Sequence, residues 1–92
     1  MVNAIVLLKV EREKVNDVAE ALVDIKGVSE VYSVSGRYDL VAIIRVKNND
    51  DLADTVTNHM RKLNRILSTE TMLAFQAYSR HGLEGMFSIG LD

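Results

Sequence analysis

Apolar residues along this chain recur with two spacings, every second position or every third and fourth, and the order of these spacings lays out the fold. Residues 3–11 form a compact run in which Ala4, Val6, Leu8 and Val10 alternate with Ile5 and Leu7. Such a run, bounded by charge, predicts a central strand. Across residues 14–25 the apolar positions Val15, Val18, Leu22 and Ile25 step by three, four and three, making one face of a helix. Gly27 follows where a helix end favours a left-handed residue. Residues 28–35 then set Val28, Glu30, Tyr32 and Val34 against Ser29, Val31 and Ser33, the period of a strand. After Gly36, residues 38–47 predict a second strongly apolar strand. Asn48, Asn49, Asp50 and Asp51 supply N-cap candidates for a helix reaching about residue 63. Residues 66–78 read as a long closing strand whose first half, through Ser68, Thr69, Glu70 and Thr71, is polar.

The predicted order is βαββαβ, two βαβ units of similar length joined at Gly36. Its compact solution is an α+β fold, a four-stranded antiparallel sheet of ferredoxin-like topology with both helices on one face. A one-sided helical cover buries only one set of strand side chains. Here both sets are apolar: Ile5 and Leu7 oppose the Ala4 set, and Val41 and Ile43 oppose Leu40, Ala42, Ile44 and Val46. The second set therefore calls for a ligand or a second subunit, and a dimeric α/β sandwich, the dimeric α+β barrel type, is expected. The chain divides into a domain over residues 1–78 and a tail over residues 79–92, where Gly82, Gly85 and Gly90 interrupt Leu83, Met86, Phe87, Ile89 and Leu91. Too apolar for a solvated end, the tail is expected to pack on its own or a neighbouring subunit.

Composition narrows the class. A length of 92 residues allows one domain with a modest core, so self-association would help it. Although 48% of residues are hydrophobic, no run approaches the ~18 apolar residues of a membrane span. The start shows no basic region or small-residue cleavage site, so a cytoplasmic location is expected. Without cysteine there is no disulfide framework and no thiolate chemistry. A net charge of −2 offers no general attraction to nucleic acid, and the one basic cluster, Arg61, Lys62 and Arg65, reads as the solvated end of a helix.

Candidate chemistry is sparse. His59 falls on the helical wheel with Leu52, Val56 and Leu63, which suits a hydrogen-bonded histidine at the helix–sheet contact better than a catalytic base. His81 has no ligand partner at helical spacing, so no metal is expected, and no glycine cluster matches a nucleotide-binding fingerprint, so no cofactor is expected either. Two places remain. The stretch Ser35, Gly36, Arg37, Tyr38, Asp39, Leu40 puts a turn glycine, an aromatic and a carboxylate between two strands. It is a hairpin turn whose Asp caps a backbone N–H, or a loop that holds a ligand. Thr69 and Thr71 share one face of the last strand, with Glu70 on the other. Their hydroxyls suit a small polar ligand, and threonine also has high strand propensity.

Taken together, Gly27-Val28, the Ser35 to Leu40 block, the Asp-initiated helix and Thr69-Glu70-Thr71 resemble the effector-binding RAM domain of the Lrp/AsnC (feast/famine) transcriptional regulators, over about residues 4–78. The resemblance implies sheet-to-sheet dimers that associate further into octamer- or decamer-like rings, and binding of free amino acids or related small effectors between dimers. It carries over Gly36, Tyr38 and Asp39 as the turn glycine, aromatic and acid, and Thr69 and Thr71 as the paired threonines. Asp39 would accept the ligand's ammonium, while N–H groups of the Gly36 turn and threonine hydroxyls of a neighbouring subunit would take the carboxylate. Lys26-Gly27-Val28 and Asn64-Arg65-Ile66 stand where the family often has Pro-Gly-Val, and Leu40 stands where an aromatic is common. Full-length members place a helix-turn-helix domain before this module, so the resemblance is to stand-alone members, non-enzymatic amino-acid sensors that modulate full-length regulators by co-assembly. The rival from another class is a small dimeric α+β barrel enzyme, monooxygenase-like, which would need a histidine- or aromatic-rich cavity within the subunit. An ACT-like regulatory fold is a third reading, against which the Ser35 to Leu40 block weighs.

Overall fold

Strict alternation in the first strand decides how the layers form. The computed structural model describes residues 1–78 and Arg80. Strand β1 (Val2–Val10) buries Ala4, Val6, Leu8 and Val10 and turns the residues between them the other way. A 3₁₀ turn (Arg12–Lys14) leads into α1 (Val15–Val23), which returns the chain to β2 (Val28–Ser33) and β3 (Leu40–Val46). Then come α2 (Asn49–Ala53), a π-helical continuation (Asp54–Met60) and β4 (Ile66–Ala74). All neighbours pair antiparallel in the order β2-β3-β1-β4, so the apolar strands β1 and β3 are central and the polar-fronted β4 is an edge. This is the expected ferredoxin-like arrangement.

The core lies between the sheet and the helices. Ala4, Val6 and Leu8 meet Ile44, Ala42 and Leu40 across the ladder, and Val18 and Leu22 of α1 close over them. Leu22 has no exposed surface, so truncating it to alanine should destabilise the fold by about 2–5 kcal/mol. The other sheet face carries Ile5, Leu7, Val41 and Ile43, half-buried, with Tyr32 and Met72 exposed beside them. No helix of this chain covers that face among the described residues.

Two strands are shorter than their patterns predict. β2 ends at Ser33 rather than residue 35, and β4 at Ala74 rather than residue 78, leaving Phe75 and Tyr78 almost fully exposed. β4 has already run the length of β1 by then, since Ala74 pairs with Asn3. The second helix departs more. Asn48 is its cap, its Oδ1 accepting from the Asp51 N–H at 2.8 Å, but after Ala53 the winding becomes π and ends at Met60. The buried residues of that stretch are Thr55 and Met60, five apart, as π winding requires. His59 is consequently not at the helix–sheet contact, a correction to the helical-wheel expectation: its side chain is 54% exposed. The expected packing of the tail, and His81 with it, lies outside the described residues.

Candidate functional site

The turn between β2 and β3 is tied back to β1 by its own residues. Gly36 has φ +117°, a conformation that side chains rarely adopt, and a Cβ there would meet nothing within 4 Å among the described residues. The turn is therefore open on that side. Asp39 closes it: its carbonyl accepts from the Val34 N–H at 3.0 Å and its N–H donates to the Leu8 carbonyl at 2.9 Å. Its carboxylate Oδ2 accepts the Val10 N–H at 3.0 Å, just past the last β1–β3 pair, Leu8 with Leu40, where β3 offers no ladder partner. Lys9 Nζ donates to the Arg37 carbonyl at 2.9 Å. The capping reading of Asp39 is thus realised, and it leaves Oδ1 without a hydrogen-bond partner among the described residues.

Tyr38 reaches further. Its hydroxyl crosses β1 and donates to Glu70 Oε1 on β4 at 2.5 Å. Glu70 lies opposite Leu7, on the sheet face away from the helices. By holding the hydroxyl proton, this bond pushes the Tyr38 pKa above its ordinary value near 10, with loss of hydration and the negative charge of Glu70 adding to the effect. Thr69 and Thr71 lie opposite Leu8 and Val6 and so on the helix-side face, Thr69 half-buried and Thr71 exposed. The helices lie over β1, β2 and β3, so this part of β4 stays open. Within one chain, then, the candidate residues form two groups: Gly36, Tyr38 and Asp39 at the turn, and the threonines on the other face of β4. Glu70 is the partner that sequence reasoning placed on the opposite face without assigning it a role.

A cavity of about 380 Å³ lies at the other end of the sheet, lined by Gly27, Val46, Thr55 and His59 among others. None of the five candidate residues lines it. The His59 Nε2 stands 3.3 Å from Asp54 Oδ2, and Asn58 Nδ2 donates to Asp54 Oδ1 at 2.7 Å. The Asn58 hydrogen bond, with the nearby His59, lowers the Asp54 pKa below its ordinary value, against a smaller opposing effect of lost hydration. Among the described residues no group of three or more His, Asp or Glu is placed to hold a metal. No helix among them is long and apolar enough to cross a membrane.

Topology and turn chemistry define an α+β domain of the RAM type. The chain belongs to the Lrp/AsnC family: the family's ligand-binding domain matches residues 3–83. It is 32% identical over 75 residues to the HTH-type transcriptional regulator FL11 of Pyrococcus furiosus, which covers 82% of this chain and 49% of FL11. It thus spans about half the length of that curated relative. Among solved structures, TTHA0845 from Thermus thermophilus is 44% identical with a TM-score of 0.81, covering 87% of this chain and 100% of that one. A feast or famine regulatory protein from M. tuberculosis, solved in complex with L-methionine, shares the fold at 23% identity and TM-score 0.71, over 87% of this chain and 54% of that one.

Proposed function

We propose that this chain is a non-enzymatic, cytoplasmic amino-acid-binding module that senses amino acids and modulates transcription regulators by assembling with them, taking the effector and leaving DNA to others. The observation that carries this reading is the Asp39 carboxylate. One oxygen is held by the Val10 N–H, which fixes the group, and the other is free to accept an ammonium beside the open Gly36 turn. Main-chain N–H groups of that turn would take the ligand's carboxylate, and Tyr38, tethered by Glu70, would form a wall. Thr69 and Thr71 of a neighbouring copy complete the site in this proposal. That the methionine-bound regulator shares this fold, and that the relatives are regulators, support the ligand class.

The helix-free face supplies the assembly. Ile5, Leu7, Val41, Ile43 and Met72 form an apolar patch bordered by Tyr32, which donates to Glu30 at 2.9 Å, and by the Glu30–Arg45 ion pair at 3.8 Å. A second copy laid on this patch buries it, and such dimers join into rings of the octamer or decamer kind. Light scattering at micromolar concentration should show a dimer or larger species; a monomer would contradict this.

The enzymatic reading needs a histidine- or aromatic-rich cavity. His59 does line the cavity at the far end, but it is more than half exposed, faces Asp54, and no Phe or Tyr accompanies it among the described residues. Calorimetry against the twenty amino acids tests the proposal. At least one should bind the wild type, and Asp39→Asn should weaken it tenfold or more, because the amide keeps an acceptor for the Val10 N–H while losing the charge. Failure of every amino acid to bind a folded, oligomeric sample would remove the sensing role.

A further inference from the structure

The end of the sheet far from Gly36 has its own arrangement of charge. Val46 pairs with Val2 there, whereas Leu40, next to the Gly36 turn, pairs with Leu8, so the two ends stand about 20 Å apart along β3. The turn after α1 contributes Lys26 and Gly27 to the cavity, the end of β3 contributes Arg45 and Lys47, and the helical segment contributes acids. Some of these charges are already engaged. Arg45 meets Glu30 at 3.8 Å and Ser29 at 3.4 Å, and Asp54 is taken by Asn58 and His59. Lys26, Lys47 and Asp51 make no side-chain hydrogen bond or ion pair among the described residues, although all three line one cavity. Two lysines and an aspartate therefore line a common space without pairing with one another.

We infer that this cavity binds a small zwitterion of about dipeptide size, its carboxylate at Lys26 and Lys47 and its ammonium at Asp51. The volume of about 380 Å³ equals that of about a dozen waters, ample for such a ligand and within the range of small-molecule sites. The floor is closely packed. Gly27 has φ +100°, and a Cβ there would come within 2.9 Å of Val46 Cγ1 and 3.0 Å of Thr55 Oγ1. Thr55 is 4% exposed, and its hydroxyl makes only a long 3.4 Å bond to the Lys26 carbonyl, leaving it able to accept from a ligand. The wall is unusual as well. π winding is rare and recurs at functional sites, and here it brings His59 back over Asp54, five residues earlier, so that both line the cavity beside Thr55.

Calorimetry with three related probes tests the inference on the intact chain: glycyl-L-leucine, its N-acetyl derivative without the ammonium, and glycyl-L-leucinamide without the carboxylate. Glycyl-L-leucine should bind at one site per chain, and each capped probe at least tenfold more weakly. Lys47→Gln and Asp51→Asn, both at exposed positions and checked for unchanged thermal unfolding, should each weaken binding tenfold or more, while Asp39→Asn leaves it unchanged. No heat with glycyl-L-leucine, or equal binding of the capped probes, would overturn the inference. Loss on Asp39→Asn with no effect of the other two variants would also overturn it, by moving the dipeptide to the Gly36 turn. The amino-acid reading of that turn stands or falls separately.

Discussion

Gly27 and Gly36 share a backbone conformation and little else. Both have positive φ, +100° and +117°, and both join a strand to what precedes it. Around Gly27 the chain is closed: Val46 and Thr55 press on the position a Cβ would take, and the Gly27 carbonyl accepts from the Arg45 N–H at 2.9 Å. At Gly36 no described residue comes within 4 Å of that position. The same residue is required at one end for packing and conformation together, and at the other for conformation alone. Openness at Gly36 would let the proposed ligand approach main chain there, whereas at Gly27 it is the neighbouring helical wall that shapes a cavity.

The sharpest way to break this comparison is to add the missing methyl group at both places. Gly27→Ala should destabilise most, roughly 2–5 kcal/mol, combining backbone strain with overpacking against Val46 and Thr55. That is a large fraction of the stability of a domain of this size, so urea unfolding should show it clearly. Gly36→Ala should lose only the strain, about 1–3 kcal/mol, and equal losses at the two sites would end the distinction. Next comes Asp39→Ala, which orphans the Val10 N–H and should lose about 1 kcal/mol, most of it restored in Asp39→Asn.

Smaller effects lie in the pH profile. The Tyr38 pKa is raised on folding, so its bond to Glu70 contributes fully below pH 10 and is lost as pH rises through the raised value. Tyr38→Phe should therefore lower stability slightly at neutral pH, where the bond is present, and remove part of the alkaline fall. Asp54 has the opposite sign: its lowered pKa gives a contribution present above its ordinary value of 3.8 and lost as pH falls through the depressed one. Asn58→Ala, which removes the largest cause, should flatten the acid limb of the unfolding curve slightly. An unchanged limb would show that the i,i+4 contact does not hold Asp54 in solution.

What could be read from the sequence depended on range. The order of elements, the faces of β1 and β3, and the face of α1 follow from local spacing, and Val18 and Leu22 lie buried where their steps put them. The π stretch was not legible, because a helical wheel assumes one winding. Thr55, being polar, did not register as a core position, so Val56 took its place in the pattern and carried His59 onto the apolar stripe. The pair Thr55 and Met60, five apart, is the trace that a π period would have found. At the Gly36 turn, the glycine and the capping Asp were legible because turn chemistry is local. The Tyr38–Glu70 bond was not, since it depends on the register of β4 against β1, thirty-two residues away.

The central claim is that the fixed, half-free carboxylate of Asp39 receives an amino acid's ammonium. Isothermal titration of wild type and Asp39→Asn with whichever of the twenty amino acids binds most tightly tests it most directly. The account predicts binding to the wild type that falls tenfold or more in the variant at unchanged thermal stability. Equal affinity in the two proteins would contradict it.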